Sequence, residues 1–132
     1  MTSVLVATDS AALFHQIESI LGSAGTTLHH IDAGRLVRQT VIELQPDVVV
    51  LDMQIGSMGG IAASIDLRLE ESGSRLEDQR IVLLLDRDAD AFLGGECGAD
   101  VLVRKPLDPR RLQQAIAAVL ADEPWSDPVL PV

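Results

Sequence analysis

Aromatic residues are nearly missing from this chain. Its 132 residues hold two Phe, one Trp and no Tyr, so whatever core it builds must be aliphatic. Lysine is scarcer still: of ten basic residues nine are Arg, and Lys105 stands alone. A single cysteine, Cys97, excludes an internal disulfide and any multi-cysteine metal site. Positive charge is short overall, with 10 Lys and Arg against 20 Asp and Glu, a net charge of −10. Such a chain repels phosphate backbones and anionic membranes, which argues against nucleic-acid binding and against membrane docking. No apolar run reaches spanning length, and Asp9 arrives too early for the core of a signal peptide. The expectation is a soluble, cytoplasmic protein without direct membrane insertion.

What the chain does have is aliphatic residues in an ordered alternation. Hydrophobic residues make up 47%, enough for one packed domain. Val4–Ala7 is a short β-type run closed by Thr8, Asp9 and Ser10. Leu13, Phe14, Ile17, Ile20 and Leu21 then recur at helical spacing, and Gly22 and Gly25 stop that helix. Thr26–Ile31 is a half-polar strand suited to a sheet edge. Asp32 is placed to cap a helix carrying Leu36, Val37, Val41 and Leu44, which Pro46 ends. Asp47–Leu51 is apolar on both parities and reads as a strand buried on two faces, closed by Asp52. A Gly-rich loop, Gln54–Gly60, leads to a helix carrying Ile61, Ile65, Leu67 and Leu69, which fades into the polar stretch Glu70–Gln79. Ile81–Leu85 is a second fully apolar strand, followed by a short helix between Asp88 and Glu96. Val101–Val103 is the last strand. Asp108 caps the last helix with Pro109 in its first position.

Strand and helix thus alternate five times. Buried parallel strands joined by helices predict an α/β, flavodoxin-like (βα)5 doubly wound sheet of strand order 2-1-3-4-5. Residues 1–121 form this domain and residues 122–132 a tail. The tail holds Pro124, Pro128, Pro131 and the only tryptophan, Trp125. It reads either as a frayed end, favoured by base rate, or as an extended segment that docks on its own domain or on a partner through Trp125.

In sheets of this kind functional groups gather outside the carboxyl ends of the strands. Those positions hold Thr8 and Asp9, then Asp52, then Leu85 and Asp86, and finally Lys105 with Pro106. Two of these carboxylates, Asp9 and Asp52, and one ammonium would converge there, a hard-oxygen site suited to Mg²⁺ with a cation ready for phosphate. Asp9 also has the alternative of capping the first helix, and Asp52 that of merely ending a strand. His15, His29 and His30 lack a second ligand at metal spacing and read as surface residues, and Cys97 as a small packed one.

This constellation resembles the receiver domain of two-component response regulators. The resemblance rests on Val4–Asp9, on Pro46–Met53, on the loop Gly56–Gly60, on Gly98-Ala99-Asp100, and on Lys105-Pro106. It covers about residues 3 to 121. It implies that Asp52 is the phosphoacceptor and that Lys105 contacts the phosphoryl group. It also implies that Mg²⁺ is held by Asp9, Asp52 and the backbone carbonyl of Gln54. A histidine kinase or phosphotransfer protein would be the phosphodonor. Homodimerisation through the last helices and strands is a further implication, by analogy of fold alone.

Four positions depart from the family's pattern. Thr8 replaces one of two acidic residues. Leu85 replaces the hydroxyl that binds the phosphoryl group, and Asp86 replaces a small residue with a charge that repels it. Leu102 replaces the switch aromatic. The phosphoacceptor pair is retained while both halves of the switch are gone, so phosphorylation has no evident element to bias. Two readings follow. One is an atypical stand-alone receiver, not an enzyme, whose output is protein–protein binding because no effector domain follows the last helix. The other is a switchless docking subunit of a larger protein assembly. A flavin carrier or small enzyme on the same fold would need a Gly-rich phosphate loop, which Thr8–Ala12 does not provide.

Overall fold

The apolar alternation builds what it predicts. The computed structural model describes residues 1–131; the last residue of the tail, Val132, lies outside them. Five parallel strands, β1 (Thr2–Ala7), β2 (Thr26–Ile31), β3 (Val48–Asp52), β4 (Ile81–Leu85) and β5 (Val101–Arg104), lie in the order β2-β1-β3-β4-β5. Five helices connect and flank them: α1 (Ala11–Leu21), α2 (Val37–Leu44), α3 (Gly60–Ser72), α4 (Ala91–Glu96) and α5 (Pro109–Leu120).

Every residue of β3 and β4 is buried, as two-sided apolar runs require. Their alternating side chains divide the core in two. Val4, Val6, Val48, Val50, Val82 and Leu84 pack with Ile17 of α1 and with Leu112, Ala115, Ile116 and Val119 of α5. Leu5, Val49, Leu51, Ile81, Leu83 and Leu85 pack on the other face with Val37 and Val41 of α2 and Ala63 and Leu67 of α3. Cys97 is buried in this second half, its thiol donating to the Gly94 carbonyl at 3.1 Å. No helix among the described residues is long and apolar enough to cross a membrane.

Three local expectations are corrected. Ser10, not Asp9, caps α1: its hydroxyl accepts the Leu13 N–H at 3.1 Å. Asp32 caps nothing, because a 3₁₀ turn over Gly34–Leu36 precedes α2. That turn exists because Gly34 presses against the loop after β3, where a Cβ would sit 1.5 Å from the Met58 carbonyl oxygen. Finally, α3 runs on through Glu70 and Glu71 to Ser72 instead of fading at Leu69. Arg68 holds its end, binding Glu71, Asp100, and the carbonyls of Gly98 and Gln79 at 2.7–2.9 Å.

The tail is not frayed. Asp127 is only 3% exposed. Its carboxylate accepts the Arg104 N–H at 2.9 Å and the Arg111 guanidinium at 2.7 Å. Half-buried Trp125 packs against the first core and Leu130 against the second. The base-rate expectation fails because Asp127 finds a donor on β5, an outer strand of the sheet whose backbone needs partners.

Candidate functional site

The carboxyl ends of the strands converge as the topology demands. Asp52 is the last residue of β3, the central strand, and is 3% exposed. A buried carboxylate must be compensated, and here three donors do so. The Lys105 ammonium lies 2.6 Å from Oδ1, the Gln54 N–H donates to Oδ1 at 3.0 Å, and the Thr8 hydroxyl donates to Oδ2 at 2.7 Å. Lys105 reaches Asp52 because it follows β5, with its own N–H donating to the Leu85 carbonyl at 2.8 Å. The Lys105–Pro106 peptide is cis.

Thr8 is fully buried and fixed on every side. Its N–H donates to the Ile31 carbonyl at 3.0 Å, and its hydroxyl oxygen accepts the Ser10 N–H at 3.1 Å. The His30 Nε2 sits 2.8 Å from the Thr8 carbonyl, so it is the protonated nitrogen of that ring. The same ring stacks on Phe14, with centroids 4.2 Å apart. Sequence reasoning missed this clamp. The signal for it was the register of β1 and β2, in which Val6 faces His30. Asp9 projects across to the loop after β3, its Oδ2 accepting the Gly56 N–H at 3.0 Å.

The four degenerate positions also have definite places. Leu85 and Leu102 converge on Gly94 of α4, where a Cβ would meet their methyl groups at 3.2 and 3.0 Å. Leu85 is fully buried. Asp86 shares the Lys105 ammonium, at 3.1 Å from its Oδ1, while its Oδ2 is buried without a hydrogen-bond partner. Lys105 therefore bridges two carboxylates. At the start of α4, burial works against ionisation of Asp90. The Arg87 side chain and N–H, at 3.1 and 3.0 Å, hold that carboxyl below the ordinary carboxylate range.

Three carboxylates against one ammonium leave this end of the sheet negative, which favours a cation. Among the described residues no three His, Cys, Asp or Glu side chains cluster as metal ligands. The residues that would hold Mg²⁺ are Asp9, Asp52 and the backbone of Gln54, all hard-oxygen donors; both carboxylates contact the loop after β3, at Gly56 and at Gln54. That set fits Mg²⁺, which commonly keeps several waters and takes only one or two carboxylates.

A buried carboxylate at the end of the central strand thus meets the lysine that follows β5. The sequence model of the response regulator receiver domain matches residues 4–117. The chain belongs to the response regulator receiver family. Relatives agree with this. The DNA-binding response regulator MtrA of Mycobacterium tuberculosis is 34% identical over 125 residues, covering 92% of this chain and 53% of its own length. The transcriptional regulatory protein GltR of Pseudomonas aeruginosa is 29% identical over 120 residues, covering 89% and 48%. This receiver thus spans about half the length of these relatives. Among solved structures, a two-component response regulator of the LuxR family from Aurantimonas superposes with a TM-score of 0.79 at 28% identity, covering 97% of this chain and 91% of that one. The BeF3-activated receiver domain of Klebsiella pneumoniae RstA shares the fold with a TM-score of 0.79 at 24% identity, covering 90% of this chain and 98% of that one.

Proposed function

We propose that this receiver accepts a phosphoryl group on Asp52 from the phosphohistidine of a histidine kinase or phosphotransfer protein, and that its output is protein–protein contact. The observation that carries the reading is the Lys105 ammonium, 2.6 Å from a carboxylate that is almost wholly buried. In the transfer a carboxylate oxygen of Asp52 attacks phosphorus in line, the P–N bond breaks, and the donor histidine leaves with that electron pair. Lys105 is held where it can pair with a phosphoryl oxygen as the new acyl phosphate forms. The Gln54 N–H and Thr8 hydroxyl fix the carboxylate before attack, and Thr8 must release Oδ2 if that oxygen is the nucleophile. Asp9, Asp52 and the Gln54 carbonyl would hold Mg²⁺, which when bound supplies positive charge against the transferred oxygens.

Intact-protein mass after incubation with acetyl phosphate tests this. The expected result is an adduct of one phosphoryl group that needs Mg²⁺ and is lost in Asp52→Asn. No adduct on protein with normal circular dichroism overturns it. A second reading, a constitutive docking subunit, is favoured by Leu85 and Leu102 meeting over Gly94, where a hydroxyl and an aromatic would otherwise couple phosphorylation to α4. It predicts partner binding that is indifferent to Asp52→Asn.

A further inference from the structure

The face made by β5, α4 and the start of α5 is covered by the chain itself, and the cover is held in an unusual way. Residues 124–131 run past β5 without forming a ladder with it. Pro124, Pro128 and Pro131 have no N–H to give. Among the described residues, every hydrogen bond from 124–131 to the rest of the domain runs through one carboxylate, that of Asp127. It takes the Arg104 N–H and the Arg111 guanidinium. The remaining attachment is apolar: Trp125 and Leu130, one on each side of the carboxylate. The seat is incompletely filled. A groove of about 540 Å³ lies between the segment and the domain, lined by Ala91, Gly95, Leu102, Trp125 and Leu130 among others. On the α4 side Phe92 and Leu93 stand 74% and 54% exposed.

These features describe a peptide in a peptide site. A single buried charge fixes register and two apolar anchors on either side give contact area. Three prolines and a turn from Asp127 to Leu130, closed by the Leu130 N–H on the Asp127 carbonyl at 3.1 Å, limit the entropy lost on docking. We infer that residues 124–131 are a ligand in cis for the β5–α4–α5 face, and that a partner segment carrying an aspartate flanked by apolar anchors competes with them for it. A partner of that chemistry gains the face only by displacing the strap. The Arg104 N–H and Arg111 guanidinium select the carboxylate, and the groove beside Leu102 takes the anchor that follows it.

Trp125 is the only tryptophan and there is no tyrosine, so fluorescence reads the strap directly. Asp127→Asn keeps the side chain's shape and removes its charge. The expected result is a red-shifted Trp125 emission and acrylamide quenching close to that of the free peptide, with the far-UV circular dichroism of the wild type. Emission and quenching unchanged from wild type would overturn the latch. In a second arm a synthetic peptide of residues 123–131 is added to the full chain carrying Trp125→Ala and Asp127→Ala, which has no tryptophan of its own. Saturable blue-shifted emission from the peptide is expected. Binding should weaken by about tenfold to a hundredfold when the peptide's aspartate is replaced by alanine, the range for a buried charged hydrogen bond. Wild-type chain, its site already filled, should bind the peptide far more weakly. Failure of the peptide to bind a folded double variant overturns the proposal. If the double variant does not fold, the comparison of wild type with Asp127→Asn decides alone.

Discussion

Thr8 donates its hydroxyl proton to Asp52 Oδ2 at 2.7 Å, inside a fully protein-lined environment at the end of β1 and β3. A position that reads as a lost acidic residue is therefore an added donor on the buried Asp52 carboxylate. Thr8→Ala removes a hydrogen bond to a buried charged group, which costs about 1.5–3 kcal/mol. Urea unfolding should show that loss. Thr8→Asp should do the opposite to the metal site. It sets a second carboxylate beside Asp9, raising Mg²⁺ affinity, and it lowers stability without Mg²⁺ because like charges then meet with less water between them. Calorimetric titration with Mg²⁺ separates the two effects; equal affinity in wild type and Thr8→Asp would refute the argument.

Asp86 shares the ammonium that, in the proposed function, pairs with the phosphoryl group. Lys105 is 2.6 Å from Asp52 and 3.1 Å from Asp86, and the other Asp86 oxygen is buried without a partner. Asp86→Ser removes one negative charge from the approach and frees Lys105. The side chain is about a third exposed, so solvent screens part of the effect. Acetyl phosphate labelling of Asp52 should quicken by roughly threefold to tenfold, with little loss of stability. A slower rate would mean that Asp86 positions Lys105 instead of occupying it.

Leu85 is a packing residue where the family's pattern asks for a hydroxyl. It is fully buried and its methyl groups lie with those of Leu102 at Gly94. Leu85→Thr removes apolar volume and buries a hydroxyl, so a loss of about 2–4 kcal/mol is expected. It should not restore a phosphorylation response by itself, because Leu102 still fills the place of the aromatic. Amide hydrogen exchange of α4 before and after labelling reads this. A response in Leu85→Thr alone would show that the hydroxyl is sufficient.

The sheet was legible because β3 and β4 are apolar on both parities, a pattern that only a doubly covered strand satisfies. The meeting of Asp52 and Lys105 was legible because strand order dictates where strand ends meet. Thr8 was not, since a short polar residue after a strand looks the same whether it caps, fills or donates. Its role depends on a residue 44 positions away. Asp32 looked like a cap because local sequence offers one. The structure instead answers to the contact of Gly34 with the loop after β3, which no local pattern encodes. Asp127 was the deepest omission. A lone aspartate among prolines has no periodicity to mark it as buried, and its partners, Arg104 and Arg111, lie on separate elements.

Gly34 links the outer strand to the loop after β3. Its N–H donates to the Gly56 carbonyl at 3.0 Å, and the Arg35 N–H donates to the Ser57 carbonyl at 2.6 Å. The clamped loop holds Ser57 and Met58 at φ of 56° and 83°, left-handed conformations that non-glycine residues adopt only under constraint. A Cβ at Gly34 would lie 1.5 Å from one backbone oxygen and 2.6 Å from its carbon, so no flexible side chain can yield. The clamp must open, and the loop, with Gln54 on it, then relaxes away from Asp52 and Asp9. Gly34→Ala should cost about 3 kcal/mol or more. Labelling of Asp52 should also fall, because the Gln54 N–H and carbonyl and the Gly56 N–H that holds Asp9 all sit on that loop. Met58→Gly, which relieves the strain without touching the clamp, should leave both stability and labelling near those of the wild type or slightly raised. If Gly34→Ala loses stability but labels Asp52 at the wild-type rate, the clamp serves the fold alone.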